Sequence, residues 1–162
     1  MDNKSKEVNF LGTGLDGGFN MDTDAMPYVG AALLCEKVLQ EKDGTLSVVR
    51  IADRITYQLS GVPEGVKPIV QLHGLIVLRS GPAKGNFTLK LFMTPPSGNR
   101  HEMYSVPVEL RGGDHGFNLV LNISLGINED GLYWADVMFE GHLLTKIPLM
   151  VVQAEPEQKD AK

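Results

Sequence analysis

Residues 117–152, FNLVLNISLGINEDGLYWADVMFEGHLLTKIPLMVV, hold three runs of alternating side chains joined by Asn128-Glu129-Asp130-Gly131 and by Glu140-Gly141. Successive side chains on a strand point to opposite faces. Leu119, Leu121, Ile123, Leu125 and Ile127 therefore share one face, with Asn122 and Ser124 on the other. Tyr133, Ala135, Val137 and Phe139 align in the same way, opposite Trp134, Asp136 and Glu140. Leu143, Thr145, Ile147, Leu149 and Val151 form a third row. Such a meander buries its apolar face only against a second layer of sheet. The stretch predicts an all-β protein.

Upstream the pattern continues. Val29–Leu39 is apolar and leads into Asp43-Gly44, a strong hairpin signal. Ala31–Gln40 has fair helix formers but β-like flanks. Leu46–Leu59 places Val49, Ile51, Ile55, Tyr57 and Leu59 on one face, with a bulge or a break expected at Ala52-Asp53. Residues 60–68, rich in glycine and proline, read as a loop. Ile69–Arg79 is almost continuously apolar, as a central strand is, and Ser80–Asn86 then reads as a turn. Phe87, Leu89, Leu91 and Met93 alternate with polar residues, and Tyr104, Val106, Val108 and Leu110 form the next row. Gly112–Gly116 reads as a hairpin turn, and Pro107 and Pro148 as edge protection, since proline donates nothing to a ladder. About eight strands result. The expected architecture is a two-sheet antiparallel β-sandwich, immunoglobulin-like or C2-like, with a closed barrel as the rival.

Residues 1–27 are glycine-rich and sparse in apolar side chains, and read as a flexible leader; 28–153 form the sandwich domain, and 154–162 a polar disordered tail. With 43% hydrophobic and 22% charged residues among 162, the composition is that of an ordinary globular domain. A net charge of −5 with scattered Lys and Arg argues against a nucleic-acid surface. No apolar run is long enough for a signal peptide or a membrane span. The lone Cys35 forms no disulfide within the chain, which suits a cytoplasmic location.

Reactive constellations are missing from the pattern. His73, His101, His115 and His142 lack zinc-site spacing. Asn20, Asp22 and Asp24 open like a calcium loop, but Ala25 stands where its glycine belongs and Ala31 where its closing glutamate belongs. Cys35 lies among apolar residues beside Glu36, so it reads as a small buried hydrophobe rather than a nucleophile. Gly112–Gly116 precedes no helix pattern and so makes no phosphate cradle. No catalytic residue, cofactor or metal is expected.

Exposed aromatic residues offer the remaining chemistry. Trp134 points away from Tyr133, Val137 and Phe139, beside Met138 and near Phe92, and an outward apolar cluster of this kind marks an interaction surface. The expected partner is another protein or a second copy in a homodimer, with neither nucleic acid nor membrane involved. The alternative is a small-ligand or carbohydrate-binding module using Tyr28, Tyr104 or Trp134.

AALLCEKVLQEKDGTLSVVRIADRITY (31–57) and residues 117–151, with Asp43-Gly44, Gly131-Leu132-Tyr133 and the closing Leu144–Val151 strand, resemble a family of small bacterial β-sandwich proteins classed as a domain of unknown function. The likeness covers about residues 29–152. It implies a sandwich fold and no established activity, and it supplies no catalytic residues.

Overall fold

The computed structural model of the chain describes residues 25–59, 63 and 65–155. Among them the regular elements are β1 (Tyr28–Gln40), β2 (Leu46–Ile51), β3 (Arg54–Tyr57), β4 (Ile69–Thr94), β5 (His101–Gly126), β6 (Gly131–Phe139) and β7 (His142–Gln153). The leader expected over 1–27 falls outside the described residues up to position 24. Met26 packs against the core. The tail lies outside them from residue 156.

Seven strands stand where about eight were expected, because two pairs of runs merge and one run splits. Ser80–Asn86 and Gly112–Gly116 are not turns. They face each other across one ladder, in which Gly81 pairs with Gly113 and Lys84 with Arg111, and the register slips between them. Gly81 has φ 52° and Gly113 φ 61°, a region that side chains with a Cβ rarely enter, so both strands bend there without ending. The result is a bent hairpin of two 26-residue strands. The Tyr28 ring lies against the corner, so close to Gly81 that an added Cβ would stand 2.5 Å from it.

The bend changes the neighbours of β4. Before it, Tyr28–Cys35 of β1 flanks β4; beyond it, Trp134–Phe139 of β6 takes that side. One hydrogen-bonded sheet results, in the order β2-β1-β4-β6-β7-β3, with β5 on the other side of β4. Leu46–Leu59 splits at Ala52-Asp53, where a bulge or a break was expected, and the outcome is a break. Ala52 still donates to the Leu34 carbonyl, whereas the next carbonyl, Asp53, accepts from Met150. The chain thereby passes from β1 to β7, and β3 runs parallel to β7, the exception to an otherwise antiparallel ladder.

The buried rows are largely those the alternation predicts. Tyr133, Ala135, Val137 and Phe139 are buried, as are Leu121, Ile123, Leu125 and Ile127, and they join Leu34, Leu72, Ile76 and Leu78 in one cluster. Phe139 meets Phe87 at 4.8 Å between ring centroids. Burying a side chain of this size contributes about 1.5–3 kcal/mol. Leu143 departs from its row. A bulge between Val137 and Met138 pairs it with Met138 and leaves it 51% exposed, while Leu144 turns to the core instead. Pro107 lies on β5, whose outer side is open, and Pro148 lies just before the β3–β7 ladder begins.

Candidate interaction surface

Strand alternation carries Phe92 of β4 and Trp134 and Met138 of β6 to the face opposite the core. The register sets their spacing: Phe92 pairs with Asp136, Thr94 with Trp134 and Lys90 with Met138. Phe92 thus sits diagonally between the other two, within reach for large side chains. All three are half-buried, and Leu143 extends the group beside Met138. The three residues singled out from sequence come together on one face.

Two cations lie over this face. The Arg100 guanidinium stands 4.1 Å above the Phe92 ring, and the Lys146 ammonium 5.2 Å from the Trp134 ring. Both lean on Asp136, with Arg100 Nε 3.3 Å from Oδ2 and Lys146 Nζ 3.5 Å from Oδ1. Asp136 is only 8% exposed, and its Oδ1 makes no hydrogen bond among the described residues. A buried carboxylate flanked by two cations is held by charge, and the cations in turn hold the ring faces. At the rim, Lys90 and Glu102 pair at 2.8 Å. Alternation placed Asp136 outward and gave no sign of its burial. Arg100 and Lys146 were missed because they come from a loop and from another strand, with no local spacing to link them.

The aromatic residues of the ligand-binding alternative do not converge. Trp134 is on the outer face, while Tyr104 packs on the core with its hydroxyl donating to the Asn122 carbonyl. Tyr28, 64% exposed, lies at the corner, where Arg79, Gly81, Gly113 and Asp114 complete a recess of about 550 Å³. Arg79 Nη1 donates to the Asp114 carbonyl there at 3.2 Å.

Elsewhere, Cys35 is fully buried, and burial pushes its thiol above the ordinary range. His73, His101 and His115 each place Nδ1 near a backbone carbonyl, those of Glu36, Asn99 and Gly112. No three His, Cys, Asp or Glu side chains gather as metal ligands among the described residues. Asn20, Asp22 and Asp24 lie outside them. No described helix is long and apolar enough to cross a membrane.

No curated protein matches the chain. Among solved structures it is similar to a β-glucosidase from Listeria innocua in complex with isofagomine, at 10% identity and TM-score 0.45, covering 78% of this chain and 16% of that one. An immunoglobulin-like protein from Pseudomonas aeruginosa is 14% identical at TM-score 0.40, covering 80% of this chain and 99% of that one. The chain thus spans a small part of the glucosidase. Residues 30–152 match the family of unknown function DUF6941, and the chain belongs to that family.

Proposed function

We propose that the protein is a non-catalytic, cytoplasmic β-sandwich that acts by binding another protein or itself. The layered reading of the bent sheet is supported by its core: one cluster draws Leu34, Leu72 and Ile76 from before the corner and Leu91, Val137 and Leu149 from beyond it. The two arms then face each other as the sheets of an immunoglobulin-like sandwich. The observation that carries the functional reading is the gathering of Phe92, Trp134, Met138 and Leu143 on the outer face. Large apolar side chains beneath the Arg100 and Lys146 cations suit an interface, where aromatic residues, methionine and arginine are enriched.

The test is Met138→Lys/Leu143→Lys, which charges the face without touching the core. Cross-linking and light scattering on the full chain should show a specific complex, or a self-complex, that this variant loses at least tenfold. A strict monomer whose cross-linked partners are unchanged by the substitution would sink the reading.

The corner recess favours a second reading, a small-ligand or carbohydrate module. Tyr28 offers a flat ring, and Arg79 and Asp114 offer polar groups beside it. A thermal-shift screen with simple sugars should then raise the melting temperature of the wild type but not of Tyr28→Ala.

A further inference from the structure

β5 runs beside β4 throughout and, among the described residues, pairs with no other strand. Ile127 marks which way its backbone faces. The Ile127 amide donates to the Pro68 carbonyl at 2.8 Å, so it points toward β4. Along an antiparallel ladder, alternate residues turn their N–H and C=O groups to opposite sides. The register from Ile69–Gly126 to Arg79–Gly116 is unbroken. Asn118, Val120, Asn122, Ser124 and Gly126 therefore aim their backbone groups at the open edge. The Asn122 carbonyl agrees, because it accepts the Tyr104 hydroxyl rather than lying wholly within the ladder.

Sheets blunt their open edges with charge, proline or bulges. The other open stretches do so here. The first half of β5 has Glu102, Pro107, Glu109 and Arg111; β2 has Arg50, β3 has Arg54, and β7 has Lys146 and Pro148. From Gly116 to Asn128 there is no charge, no proline and no bulge.

We infer that this edge pairs with the same edge of a second copy, antiparallel about a two-fold axis near Leu121, so that the sheet continues through two protomers. An edge that meets itself sets each residue against its own sequence, and like charges directly opposite destabilise a pair. Only the uncharged half of β5 meets that condition over ten residues. With the axis at Leu121, Val120 faces Asn122 of the other copy and Asn118 faces Ser124. All four are even-numbered, so their outward N–H and C=O groups exchange bonds. The Asn122 carbonyl has a second lone pair beyond the one Tyr104 takes. This surface is separate from the outer face, and the two succeed or fail independently.

Light scattering and amide hydrogen exchange on the full chain test the inference. The wild type should run at a dimer mass, with the even-numbered amides from Asn118 to Ser124 slowed at least tenfold. Asn118→Lys/Ser124→Lys sets ammonium against ammonium and should halve the mass and release those amides. Asn118→Lys/Ser124→Glu sets opposite charges together and should restore the dimer, which also shows that the strand tolerates both changes. A wild-type monomer overturns the inference, as does a dimer that the two lysines leave intact. Protected edge amides in a monomer overturn it too, because the chain then covers its own edge. If Met138→Lys/Leu143→Lys dissolves the dimer while the edge variants do not, the outer face stands and the edge falls.

Discussion

The hydroxyl of Tyr104 donates to the backbone carbonyl of Asn122, tying together two points of β5 that lie 18 residues apart. The ring packs on the core while its hydroxyl closes a backbone group at the open edge. Tyr104→Phe keeps the packing and removes the bond. It should cost about 0.5–1.5 kcal/mol, read as a lower urea midpoint at unchanged slope.

The Asp136 network predicts an asymmetry. Asp136 is 8% exposed, whereas the side chains of Arg100 and Lys146 are 41% and 46% exposed. Removing the carboxylate lets both cations rehydrate, so Asp136→Asn should cost about 1 kcal/mol. Arg100→Ala/Lys146→Ala strands a buried carboxylate and should cost about 3 kcal/mol. Adding Asp136→Val to that pair should recover most of the loss. Chemical denaturation of the wild type and the three variants measures these costs; equal costs for the two sides would refute the asymmetry.

The corner predicts that one glycine is replaceable and another is not. Gly81→Ala forces a Cβ into a left-handed conformation and displaces the exposed Tyr28 ring, at a cost of about 1–2 kcal/mol. Gly126→Ala, at the end of the same ladder, has nothing within 4 Å and an unstrained backbone, so its effect should stay within about 0.5 kcal/mol. Melting curves of the two variants give the comparison.

Alkaline pH should destabilise the fold. Burial raises the Cys35 thiol and the Tyr133 phenol, and the hydrogen bond to Asp130 raises Tyr57. In each case the protonated form is favoured in the folded state, so its contribution is whole below the unfolded pKa. That contribution falls as pH rises through the folded value. The decline begins near pH 8.5, the ordinary thiol range, and steepens near pH 10 as the tyrosines join. Urea midpoints from pH 7 to 11 should fall in that order, and Cys35→Ala should lack the first part. Native Cys35 should also react with a thiol reagent at least a hundredfold more slowly than the urea-unfolded chain.

How far the structure is legible in the sequence follows from how local each signal is. The strand faces of 117–152 were readable because alternation is set by neighbouring residues, and Phe92, Trp134 and Met138 were placed outward by that rule alone. The Ala52-Asp53 break was readable for the same reason. The glycine signals at Ser80–Asn86 and Gly112–Gly116 were read as turns, whereas the strands bend there and continue. A positive φ reverses a chain only if the partner strand ends there, and here Gly81 meets Gly113 so that both strands continue. Leu143 was placed on the wrong face because one bulge inverts every side chain beyond it until the register recovers.

The sequence by itself determined an all-β chain, its main buried rows and its outward apolar residues, since each of these depends on a period of two along one segment. Only the tertiary structure decided that two hairpins are one bent hairpin, that β3 lies parallel to β7, and that Asp136 is buried beneath Arg100 and Lys146. Those outcomes depend on which distant backbone groups find each other once the core has closed, and no spacing along the chain encodes that.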